Sequence, residues 1–139
     1  MFKFLFANYI PVKDTYQHEK YPNIFAVGIA AHYQVPFKTT IPLGMPKTGY
    51  PADETAKAAA ENITRLINGQ SDLKEVPMGK IPGLCIMDAG KKEVIILSNS
   101  LLKPRKFEVM IPNPLYDVSK RGFEKYFLWK VRHGYSWLP

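Results

Sequence analysis

Pro46-Lys47-Thr48-Gly49 stands about twenty residues after Asn23-Ile24-Phe25-Ala26-Val27-Gly28, and these two stretches decide the fold. The first is a short apolar run with β-branched and aromatic residues ending in glycine, which predicts a buried strand over residues 24–28. The connection over residues 34–46 holds Pro36, Pro42, Gly44 and Pro46, so regular structure is excluded there. Lys47-Thr48-Gly49 then opens an alanine-rich helix. Pro51 suits its first turn, Asp53 and Glu54 suit the positive end of its dipole, and Gly69 is a stop signal just past about residue 68. Its expected inner stripe is Ala52, Ala56, Ala59, Ala60, Ile63 and Ile67. A strand, a loop and a helix start beside a cation together make a site for an anionic or polarisable ligand.

Working outward, residues 9–12 read as extended and residues 14–22 as a polar connection. Residues 84–88 and 93–98 form an expected antiparallel hairpin across Ala89-Gly90-Lys91-Lys92, and residues 107–111 a third strand. Pro112 and Pro114 are expected to break the chain before an amphipathic helix over residues 116–133. The fold class is α+β: a short strand with an Ala-rich helix, a small antiparallel sheet and a closing amphipathic helix. Residues 1–139 read as one domain. The opening residues 1–6 match no recognisable pattern and are read as an artefact of the start site or of expression.

Length and composition set bounds. A chain of 139 residues can bury a real core, and an apolar content of 46% places it among folded globular proteins. No apolar run approaches the ~18 residues that span a bilayer. The Met1-Phe2-Lys3-Phe4-Leu5-Phe6 start is too short for a signal-peptide core, so a cytoplasmic chain, peripheral at most on the membrane face, is expected. One cysteine excludes an internal disulfide. His18, His32 and His133 lack ligand spacing, so no metal is expected. Up to Leu102 there are 11 Lys/Arg against 9 Asp/Glu, and from Lys103 onward 8 against 3. The basic end is interleaved with Phe123, Tyr126, Phe127, Trp129, Tyr135 and Trp137. Such a tail fits an anionic surface or a solvated helix flank, and no nucleic-acid motif accompanies it.

Three further signals carry chemistry. Lys47, Thr48 and Gly49 place a cation and helix-start amides where they can stabilise negative charge. Cys85 lies in the apolar stretch Gly83-Leu84-Cys85-Ile86-Met87-Asp88, the ordinary setting of an inert, shielded core thiol. Phe123, Phe127 and Val131 recur at helical spacing, the ordinary mark of a core stripe.

The block Ile41-Pro42-Leu43-Gly44-Met45-Pro46-Lys47-Thr48-Gly49, the strand around Cys85 and the stretch Phe123-Glu124-Lys125-Tyr126-Phe127-Leu128-Trp129-Lys130-Val131-Arg132-His133-Gly134 together resemble the carboxy-terminal part of sulfide:quinone oxidoreductases. These are flavoproteins of the two-dinucleotide-domain disulfide reductase superfamily, so the α+β chain would be a piece of an α/β flavoprotein. The resemblance runs from about Tyr9 to Gly134. It implies that Gly28 lets the backbone approach FAD, with Ile29 where the wider superfamily has an aspartate. It further implies that Lys47, Thr48 and Gly49 face the flavin pyrimidine edge, that Cys85 belongs to a redox cysteine pair, and that Phe123 packs on the quinone ring. Sulfide and quinone are the implied substrates. The chain carries neither a G-x-G-x-x-G turn nor a second cysteine. The expectation is therefore a piece that holds no FAD and is inactive alone, with an amino-terminal partner chain as a candidate complement. A weak affinity for anionic membrane and a homodimer or other homo-oligomer are expected. The alternative is a non-enzymatic module that associates with itself or with a partner.

Overall fold

A computed structural model describes residues 9–33, 35, 40, 44–88, 93–102, 104–113, 115–135, 137 and 138. The opening residues 1–6, the block 41–43 and the turn 89–92 lie outside these residues. Strand β1 (Ile10–Pro11) pairs in parallel with β2 (Ala31–His32), which follows a single 3-10 turn at Gly28–Ala30. Helix α1 (Gly49–Ile67) comes next, then a second 3-10 turn at Met78–Lys80. Strands β3 (Gly83–Asp88), β4 (Glu93–Ser98) and β5 (Glu108–Asn113) form an antiparallel sheet in that order, and α2 (Tyr116–Arg132) closes the series. The architecture is α+β, as the apolar periodicities predict.

Two local expectations change. Residues 24–28 do not form a strand: Phe25 makes only an isolated bridge to Gln17, Ile24 is exposed, and the backbone turns at Gly28. The ladder is taken up instead by Ala31–His32, because Gly28 at φ +56° cannot continue an extended chain. Pro112 does not end the third strand, which runs on to Asn113. It is tolerated because β5 is an edge strand.

The core is built around α1, and not on the stripe that hydropathy selects. Ala56, Ala60, Ile63 and Ile67 face outward, Ile67 being 79% exposed. The buried face is Pro51, Thr55, Ala58, Ala59 and Asn62. Small residues let the segment over residues 12–31 lie close on the helix, so Val12, Tyr16, Ala26, Ala31, Met45, Ala58, Ala59 and Met78 form one apolar cluster. The two polar residues on that face are satisfied. The Thr55 hydroxyl accepts the Gly28 N–H at 3.0 Å and donates to the Ala52 carbonyl at 3.0 Å. The Asn62 amide donates to the carbonyls of Thr15 at 3.0 Å and Lys74 at 2.9 Å, and accepts the Lys74 N–H at 2.7 Å. Tyr16 completes the junction. Its ring is fully buried, its backbone sits at φ +63°, and its hydroxyl donates to Val76 at 2.8 Å. Burial, then the Asp14 charge, pushes that phenol well above its ordinary range and keeps it a donor.

The sheet is apolar on both faces. Direct partners share a face, so one carries Leu84, Leu97 and Val109 with Ile86, Ile95 and Ile111, and the other Cys85, Ile96 and Met110 with Met87, Val94 and Pro112. Gly83 is required at its end, because the Ser98 hydroxyl fills the space a Cβ would take. A sheet apolar on both sides is of the kind buried on both sides, yet Met87, Met110 and Ile111 are exposed.

Removing the Asn62 amide tests this core. Asn62→Ala leaves two carbonyls and one N–H without their partner, and is expected to lower unfolding stability by about 2–4 kcal/mol in urea denaturation. Ile67→Ala, on the outward face, is expected to stay within about 0.5 kcal/mol.

Candidate functional site

The start of α1 is positioned from beneath by Gly28. A Cβ on Gly28 would stand 3.2 Å from the Ala52 Cβ, so only glycine lets this turn lie flat on the helix. Its N–H bond to Thr55 then fixes the height of the contact. Thr48 is the N-cap in extended conformation, φ −129° and ψ 155°, and its side chain makes no capping bond. The first turn carries no acidic residue, and Lys47, Thr48 and Gly49 are all exposed. A Cβ on Gly49 would meet nothing within 4 Å. The helix start is thus open, with its amides uncapped by Thr48 and a lysine beside it. That arrangement suits an electron-rich or anionic edge approaching end-on.

Asp53 and Glu54 lie one turn further on and are engaged with Lys57. The Lys57 ammonium is 3.1 Å from Asp53 and 3.0 Å from Glu54. Burial pulls its pKa down, but the bonds to Glu54 and Asp53 outweigh burial and hold it above the ordinary lysine value. Glu54 is thus engaged within α1, while Asp53 is shared between Lys57 and Lys130 of α2.

Cys85 lies in the middle of β3, opposite Ile96, and is half-buried. It is less enclosed than an apolar strand position predicts, because its face of the sheet has no full cover. Phe123 is on α2 and 52% exposed, with its ring stacked on Phe127 at 6.3 Å. The stripe Phe123, Phe127 and Val131, expected as core, is exposed throughout. Lys130, expected with Lys125 and Arg132 among the cations of an anionic interface, is instead the fully buried side chain of α2 among the described residues, 3% exposed. The structure thus brings Gly28 to the base of the Lys47-Thr48-Gly49 turn, while Cys85 and Phe123 sit on separate elements, β3 and α2.

Two contributors are absent from the hydropathy reading. Thr55 and Asn62 stand seven apart within the set 51, 55, 58, 59 and 62, which is itself an ideal one-face helical series. Their spacing was visible, and their polarity concealed it. The Asp53–Lys130 pairing joins residues 77 apart and leaves no sequence signal.

By fold and site the chain is an α+β unit with an uncapped, exposed helix start and a sheet apolar on both faces. It is similar to sulfide-quinone reductase of Aquifex aeolicus (strain VF5), with 36% identity over 123 residues, which is 88% of this chain and 28% of that protein. The crystal structure of sulfide:quinone oxidoreductase from the same hyperthermophilic bacterium superposes with a TM-score of 0.76 at 33% identity, covering 91% of this chain and 29% of the other. Sequence and backbone agree that the chain corresponds, over most of its length, to one segment of a sulfide:quinone oxidoreductase. It spans under a third of those relatives' length. No protein-family model matches it. Among the described residues no cluster of His, Cys, Asp or Glu could hold a metal ion, and no helix is long and apolar enough to cross a membrane.

Gly28→Ala combines an unfavourable φ with a contact that must open, and is expected to cost about 1–3 kcal/mol of stability. Gly49→Ala, in open space, is expected to be close to neutral. Denaturation midpoints measure both, and equal effects would remove the packing role of Gly28.

Proposed function

We propose that this chain is the carboxy-terminal, flavin- and quinone-facing part of an FAD-dependent sulfide:quinone oxidoreductase. The observation that carries the proposal is the joint match in sequence and backbone over nine-tenths of the chain. The local geometry suits FAD: a side-chain-free turn at Gly28, uncapped amides at Thr48 and Gly49, and an exposed lysine at Lys47. When bound, FAD supplies the two-electron carrier between sulfide and quinone. The helix-start amides and Lys47 would hold the pyrimidine edge and stabilise negative charge there by preorganised electrostatics. Cys85 would be one thiol of a sulfur-handling pair, its partner coming from another part of the enzyme. Phe123, with its ring half in solvent, would offer a flat face to a planar quinone.

Peripheral attachment to a membrane belongs to the same reading. Arg121, Lys125 and Arg132 are exposed beside Trp129 and Trp137 and suit an anionic interface. Lys130 leaves that set because it is buried against α1.

The chain alone is expected to show no sulfide-dependent quinone reduction with added FAD and to purify colourless. Supplied with the dinucleotide-binding region of a sulfide:quinone oxidoreductase, it is expected to give a yellow complex whose turnover is lost in Cys85→Ser. Turnover by the chain alone, or a yellow complex indifferent to Cys85→Ser, would count against these roles.

A second reading, self-association, is supported by the surface itself. Met87, Met110 and Ile111 on the sheet and Phe123, Phe127 and Leu128 on α2 are exposed, and a stable dimer interface that would cover such apolar surface buries about 1,200–2,000 Å². Sedimentation at high micromolar concentration is expected to show a species heavier than 15.9 kDa. A clean monomer would set this reading aside.

A further inference from the structure

Lys130 is the one buried side chain among the described residues of α2, and it carries a charge. Its ammonium lies 3.3 Å from the Asp53 carboxylate and 2.9 Å from the Leu138 carbonyl. Lys57 reaches the same two acceptors, Asp53 at 3.1 Å and Leu138 at 3.1 Å. Two ammoniums and two acceptors thus close a polar ring between the second turn of α1, the last turn of α2 and the segment that follows α2. Burial decides its weight. An exposed ion pair restrains little, whereas a lysine at 3% exposure cannot leave its carboxylate without stranding a charge.

The same ammonium sits 5.4 Å from the centroid of the Phe127 ring, which stacks on Phe123 at 6.3 Å and 24°. Seven residues separate Phe123 from Lys130, so the two lie within about 20° around the helix axis and about 10 Å apart along it. Fixing Lys130 therefore fixes the direction of that whole stripe.

We propose that Asp53 and Lys130 are positioning residues that set the rotation of α2 about its axis, and so the side on which Phe123 presents its ring. The proposal rests on the quinone-facing reading only for what Phe123 meets. The rotational lock itself is a property of this chain. Lys57 shares the Asp53 and Leu138 acceptors from the α1 side and adds to the stability of the ring without setting the rotation. Since its pKa is raised in the folded state, its contribution is fully present below the ordinary lysine range and lost as pH rises through the raised value.

The test uses the full chain with 4-fluorophenylalanine at Phe123, read by fluorine NMR, together with amide hydrogen exchange. Asp53→Asn and Lys130→Met are each expected to move the Phe123 resonance and to speed exchange over residues 129–138 at least tenfold. Exchange over residues 58–67 should be unchanged. Asp53→Glu should restore both signals. Lys57→Met keeps the Asp53–Lys130 contact and should leave the resonance in place, which maintains the test if either stronger variant fails to fold. An unmoved resonance in Asp53→Asn, or a displacement in Lys57→Met as large as in Asp53→Asn, would overturn the lock. Adding a short-chain quinone to the wild-type chain joined with the dinucleotide-binding region tests the quinone reading separately, through a shift at the same label.

Discussion

The structure depends on the Asn62 amide at the buried face of α1. Its three hydrogen bonds tie the helix to the backbone at Thr15 and at Lys74, two segments also joined by the Val76 N–H donating to the Asp14 carbonyl at 2.9 Å. Thr55, two turns earlier, does the same for the Gly28 turn. A face made of Ala58, Ala59 and two polar side chains contributes little apolar area, so its cohesion comes from close approach and satisfied hydrogen bonds. This is an economical way to hold irregular loops, whose backbone groups would otherwise be buried without partners.

That constraint also shapes the candidate site. With Gly28 pressed on Ala52 and Thr55, the first turn of α1 is supported from below while its open end carries Lys47, Thr48 and Gly49. Rigid support under an uncapped helix start is what an electrostatic site requires, because reorganisation of loose donors would cancel much of their benefit. The sheet has a different character. Its two apolar faces and the β5 edge are suited to being covered by more protein.

Legibility varied with the reach of each interaction. The helix over Gly49–Ile67 was readable from Pro51 and Gly69, because a first-turn proline and a C-terminal glycine act within one turn. The β3–β4 hairpin was readable from β-branched runs around a short turn, and β5 and α2 from their own periodicity. Residues 24–28 misled because an apolar β-branched run describes burial equally well in a strand or a packed turn. The contact with Ala52 that selects the turn lies 24 residues away. Pro112 misled because its cost depends on whether a strand is at an edge, which is a property of the sheet.

By itself the sequence determined the two helices and the three-stranded sheet, the place of the helix start at Lys47-Thr48-Gly49 and the resemblance to sulfide:quinone oxidoreductases, all of which rest on local spacing. Tertiary structure alone decided which face of α1 is inside, because Thr55 and Asn62 are buried only when specific backbone groups arrive to satisfy them. It alone decided that Lys130 is buried and Phe123 is not, reversing what hydropathy assigns to each. A buried cation needs a carboxylate supplied by a distant residue, here Asp53, and an exposed aromatic needs only the absence of a neighbour. Both are facts about where other elements lie, and periodicity along a single helix carries no record of them.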